Sequence, residues 1–206
     1  MSQESVSTNE SMISSAPATD RQPEGWDEMF DQIAAGLYNL ASMLVGEGEE
    51  GAQLVEATIA TAEVSVCADP VLARANSRQA LCRAAIGAIQ KRDPENLAAP
   101  DGVFAATTCI EDDDLGAAGV SPEELERMIS GPDRERVRNW LEGLPVGVRT
   151  VFVLRAVAGF SGAETAALLA ELGGPKAVGW TAQGVRDTFR QGLCSLASQL
   201  IHASAR

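Results

Sequence analysis

Near the C-terminus, Gln183, Arg186 and Arg190 follow one another at i, i+3 and i+7, a spacing that gathers them on one face of a helix. Glutamine pairs bidentately with adenine, arginine with guanine, and both reach phosphates. Lys176, Thr181 and Asp187 flank these three and would border the same surface. A second polar row, Asn76, Arg83 and Gln90, recurs every seven residues inside segment 74–92. That segment also carries Arg74, Arg78, Lys91 and Arg92 and has no acidic residue. Such a row suits tracking of a phosphate backbone and presentation of amides to bases. The same periodicity also describes an ordinary solvated helix face, and the spacing does not separate the two.

Other chemistries find little support. Gly46-Glu-Gly48-Glu-Glu-Gly51 matches G-x-G-x-x-G, but a dinucleotide site needs a preceding strand. Here a helical pattern precedes it and three glutamates would repel a pyrophosphate, so a turn between helices is expected. The run Glu111-Asp-Asp-Asp114 lacks the spaced ligands and turn glycine of a calcium loop; it reads as a solvated segment that repels nucleic acid. The four cysteines, Cys67, Cys82, Cys109 and Cys194, are scattered beside a single His202. No zinc spacing or disulfide framework emerges, and small core residues are expected. With no nucleophile–base pair and no metal constellation, neither an enzyme nor a cofactor is expected.

The charge pattern separates the basic rows from acidic surroundings. The 206 residues carry a formal net charge of −13, ordinarily unfavourable for a nucleic-acid partner. Yet residues 1–73 hold 13 acidic and 1 basic side chains, and residues 93–126 hold 10 acidic and none basic. Net positive charge is confined to 74–92 and to the C-terminal part from residue 127 onward. No apolar run approaches the 20 or so residues of a membrane span, and the N-terminus lacks a basic flank and apolar stretch. A cytoplasmic protein without membrane insertion is expected.

The elements that must position these residues read as helices throughout. Residues 1–24, rich in Ser, Thr, Glu, Asn, Pro and Gln, predict a disordered tail. From Trp26 apolar residues recur at helical spacing, a second helix follows the glycine turn, and Pro70 opens a third that ends before Pro94. Residues 94–120 show no period and predict an acidic linker. Ser121-Pro-Glu-Glu124 and Ser161-x-x-Glu164 are capping boxes that open helices. The last helix starts near Thr181 and buries Val185, Phe189, Leu193, Leu196 and Leu200. The expected fold is all-α: helical domains over 25–93 and 121–206 joined by the 94–120 linker, the second a helix-turn-helix.

The order of these parts resembles a known family. NWLEGLPVGVRTVFVLRAVAGFSGAETAALLAEL, followed by Gly184-Val-Arg-Asp-Thr-Phe-Arg190, is similar to region 4 of the sigma-70 superfamily of bacterial RNA polymerase sigma factors. LYNLASMLVGEGEEGAQLVEATIATA resembles its region 2, and the absence of a region 3 resembles the extracytoplasmic-function group. The resemblance implies a transcription initiation factor that binds core RNA polymerase and promoter DNA, with an anti-sigma factor as a further partner. It implies that Leu54, Val55, Glu56, Thr58 and Ile59 border the polymerase contact. Arg74–Arg92 would receive the melted minus-ten strand, and Gln183–Arg190 would lie in the major groove of the minus-thirty-five element. The family pattern has fewer residues between scaffold-helix glycine and recognition-helix valine than the 174–184 segment found here. An alternative reading is a sigma-like mimic or adaptor that binds polymerase or an anti-sigma factor without reading DNA.

Overall fold

The computed structural model describes residues 26–61, 69–100 and 109–204. The expected tail over 1–24 lies outside them, as does Cys67. Among the described residues the chain is all-α, with eight α-helices and no strand. Helix α1 spans Trp26–Val45 and buries Ile33, Leu37, Leu40, Ala41 and Leu44 along one stripe. It ends where Gly46 and Gly48 take φ of 99° and 116°, values an L-residue reaches only with strain. Glu49 and Glu50 then open α2 (Glu49–Thr61), their charge opposite in sign to the helix N-terminal dipole. Asp69 caps α3 (Pro70–Arg92) by accepting from Val71 N at 2.8 Å, with Pro70 at its first position. Lys91 and Arg92 occupy its last turn, where cations are favoured.

In the second half, α4 (Pro122–Ser130) and α7 (Gly162–Leu172) both begin with complete capping boxes. Between them lie α5 (Arg134–Glu142) and α6 (Val146–Phe152), the latter continuing as a π turn over Val153–Val157. Val151, Phe152, Val153 and Leu154 are all essentially inaccessible, so α6 is the central rod of this half. Trp140 meets Phe152 edge-on with ring centroids 5.0 Å apart, and Phe152 lies 5.6 Å from Phe189. The final helix, α8 (Ala182–Ser204), packs against α6 and α7 and ends the described chain.

One hydrophobic cluster runs through both halves, from Ile33 on α1 to Leu196 on α8. Within 94–120, the described residues form 3-10 turns at Pro94–Leu97 and Leu115–Ala118. Leu97, Ile110, Ala118 and Val120 from this segment are buried in the same cluster. The turn after α7 closes the junction. Trp180 Nε1 donates to Leu97 O at 2.9 Å, and Ala99 N donates to Lys176 O at 2.8 Å. Gly174, at φ 84°, lets the turn approach α3 so closely that a Cβ would stand 3.0 Å from Gln90 Nε2.

Arg149 of α6 is the charged side chain among the buried described residues. Its side chain is buried and its Nε finds no hydrogen-bond partner among the described residues. Burial pushes the guanidinium below its ordinary pKa; Glu142 opposes that shift and Arg92 adds to it. A buried charge with incomplete hydrogen bonding costs stability. Two outcomes are expected in urea denaturation followed by tryptophan fluorescence. Leu97→Ala lowers the unfolding free energy by about 2–5 kcal/mol, and Arg149→Met leaves it unchanged or raises it.

Candidate nucleic-acid interface

The α7–α8 pair places the C-terminal polar row. Ser161 Oγ accepts from Glu164 N at 3.2 Å while Glu164 accepts from Ser161 N at 2.8 Å, fixing where α7 starts. Hydrogen bonding to the Glu164 carboxyl, by the Ser161 side chain first and its backbone N–H second, holds that carboxyl below its usual range. Val185, Phe189, Leu193 and Leu196 anchor one side of α8, which leaves Gln183 and Arg186 exposed and Asp187 and Arg190 half-buried. Thr181 Oγ1 accepts from Gly184 N at 3.0 Å at the helix start.

These side chains are already engaged. Gln183 Nε2 donates to Asp187 Oδ1 at 3.0 Å. Arg190 Nε donates to Ile110 O at 2.8 Å, and its Nη1 lies 3.6 Å from Asp187 Oδ1. Arg186 Nε lies 3.6 Å from Asp113 Oδ2, and the same carboxylate accepts from Arg155 Nη2 at 3.3 Å. Arg155 also stands over the Phe189 ring, 5.1 Å from its centroid. The acidic run expected as solvated linker therefore sits, at Asp113, on the cationic edge of α8. Lys176 pairs with Glu95 across the junction.

The row on α3 is divided. Arg83 forms a two-pronged ion pair with Glu171 of α7, and Gln90 packs against Gly174. Both were expected on a free polar stripe, but α3 is covered on two sides, by α1 and α2 and by α7. Arg92 pairs with Glu50 and reaches Val45 O, and Arg74 donates to Gln32 Oε1 at 3.2 Å. Asn76, Arg78 and Lys91 are exposed. On α2, Glu56 and Ile59 are exposed, Leu54 is half-buried, and Val55 and Thr58 are buried. Thr58 Oγ1 donates to Leu54 O at 2.7 Å. An α2 partner would thus touch Glu56 and Ile59, with Val55 and Thr58 behind them in the core.

Two cysteines depart from the expectation of separate core thiols. Cys109 and Cys194 form a disulfide across 85 residues, with Cα atoms 5.7 Å apart. Nothing in their spacing signalled it, because the pairing depends on how the 109–120 segment folds back. Cys82 keeps the expected role: it is buried in α3 and burial pushes its thiol up to about 12. Asp113, Ile110, Arg155 and Glu171 complete the candidate interface; of these, only the acidic run was visible as a local feature of the sequence. No family model, curated protein or solved structure matches the chain.

The Arg83–Glu171 contact makes a titration prediction. The hydrogen bond from Arg83 is the main cause that holds the Glu171 carboxyl below its usual range. A carboxyl lowered in the folded state adds stability above its unfolded pKa and loses it as pH falls through the folded value. Arg83→Ala is therefore expected to return the Glu171 midpoint toward the ordinary carboxylate range in a side-chain NMR titration. Its stability cost should be present at neutral pH and vanish at pH values below the lowered midpoint.

Proposed function

We propose that this chain is a sigma factor-like transcription initiation protein, similar to the extracytoplasmic-function group, that binds core RNA polymerase and promoter DNA. The observation that carries this reading is the pairing of capped α7 with α8, which leaves Gln183, Arg186 and Arg190 along one edge of α8. A helix of this kind enters the major groove and reads base edges with glutamine and arginine. Exposed Arg78 and Lys91 on α3 supply cations for a single strand. Exposed Glu56 and Ile59 on α2 offer a surface for polymerase. No described helix is long and apolar enough to cross a membrane, and a protein with these partners works in the bacterial cytoplasm. An anti-sigma factor is a further partner compatible with this reading.

The internal ion pairs favour a second reading, a mimic or adaptor that binds polymerase or an anti-sigma factor and leaves DNA unread. Arg186, Arg190, Arg83 and Arg92 all face carboxylates of the same chain. Transcription by core polymerase from a promoter library, with the disulfide reduced, separates the two. Specific transcripts support initiation; retention on polymerase without any transcript supports the mimic. Under the first reading, Arg186→Ala with Arg190→Ala weakens duplex binding and reduces the log–log salt slope by about one to two. Fluorescence anisotropy at several salt concentrations measures it.

A further inference from the structure

Residues 109–120 lie along α8 in an order set by one ridge of that helix. Arg186, Arg190 and Cys194 stand at i, i+4 and i+8, and each is tied to this segment. Cys194 is bonded to Cys109, Arg190 donates to Ile110 O at 2.8 Å, and Arg186 faces Asp113 at 3.6 Å. The segment thus runs antiparallel to α8. It returns to the core through Ala118 and Val120, just before α4. Asp114 accepts from Ala117 N at 2.9 Å and stiffens the return, while Glu111 and Asp112 remain exposed beside the same ridge.

We infer that this acidic segment is a strap over the cationic ridge of α8, held shut by the Cys109–Cys194 disulfide and released by its reduction. The inference rests on the DNA-binding reading for its purpose but not for its mechanics. A phosphate backbone would need the guanidiniums that Asp113, Asp187 and Ile110 O occupy, and it would meet the carboxylates of Glu111, Asp112 and Asp114 on approach. The Asp113 contacts are partly exposed, and such pairs are weak and screened by salt. Burial of Ile110 and the covalent bond are ties at this end that salt does not loosen, and only the bond answers to a reductant. Disulfides are rare in reducing compartments, where those that form are usually transient, catalytic or redox-sensing.

The opening step needs a dithiol reductant. One of its thiolates attacks the sulfur of exposed Cys109, a new S–S bond forms, and the bond to Cys194 breaks with Cys194 leaving as thiolate. The second thiolate of the dithiol then attacks the first sulfur and expels Cys109. Two electrons pass to the protein, each cysteine takes up a proton, and the dithiol becomes a cyclic disulfide. Cys82, buried in α3, takes no part.

The test uses the full chain in three forms: oxidised, reduced with dithiothreitol, and Cys109→Ser. Amide hydrogen exchange over 110–117 reports the strap, and anisotropy with a random-sequence duplex at about 50 mM salt reports the ridge. Reduction and Cys109→Ser should each speed exchange in 110–117 about tenfold or more, with α1 and α6 unchanged. Unchanged exchange in 110–117 after reduction overturns the inference, whatever the duplex does. Faster exchange without duplex binding upholds the strap and counts against DNA reading. If Cys109→Ser fails to fold, the reduced wild-type chain decides alone. With the disulfide intact, Asp113→Asn should loosen 110–117 less than reduction does; an equal or greater effect would show that the ion pairs hold the strap and would overturn the role of the bond.

Discussion

The relative placement of the two helical halves depends on a small buried junction between the turn after α3 and the turn after α7. There the Trp180 indole N–H and the Leu97 carbonyl both leave water, and they satisfy one another at 2.9 Å. A buried donor or acceptor without a partner is costly, and a hydrogen bond is directional. The contact therefore fixes orientation as well as proximity. Ala177 and Leu97, both almost wholly buried, fill the space around it. With the turns held in this way, α3 must lie against α7. Arg83 then meets Glu171, Gln90 meets Gly174, and the α3 row gives two of its three members to contacts with α7 and the turn after it.

The electrostatics follow the same geometry. A chain with a net charge of −13 keeps its few cations in local register with carboxylates that are distant in sequence. Arg92 pairs with Glu50, Lys176 with Glu95, Arg83 with Glu171, and Asp113 is shared between Arg155 and Arg186. These contacts are mostly exposed, so they add little to folding stability. Their consequence concerns binding. Any external anion must compete with an internal carboxylate, and the internal group enjoys a high effective concentration. The folded chain thus presents far less positive potential than its basic segments contain.

Cysteine position shows how place in the fold changes chemistry. Cys82 lies inside α3, where desolvation keeps its thiol protonated and inert. Cys109 and Cys194 lie at the end of a strap and on the ridge of a helix, close enough to bond. The spacing of the three residues carries no sign of these different roles. Their different fates come from burial in one case and from a fold-back contact in the other.

Helix existence, helix boundaries and the all-α class were readable along the chain because their causes are local. Apolar residues at helical spacing, prolines at first positions, two capping boxes and the Gly46–Gly48 turn all act within a few residues. The basic and acidic blocks were equally plain. Their partners were not, because an ion pair such as Arg83–Glu171 joins residues 88 positions apart and no local pattern encodes it. The 94–120 segment illustrates the division. Its lack of period was visible, but burial of Leu97, Ile110 and Val120 arises from surfaces that exist only after α1, α3, α6 and α8 have packed. Local sequence dictated which stretches coil and where they stop. Long-range packing chose which cations face solvent, because exposure belongs to the assembled surface and to no single residue.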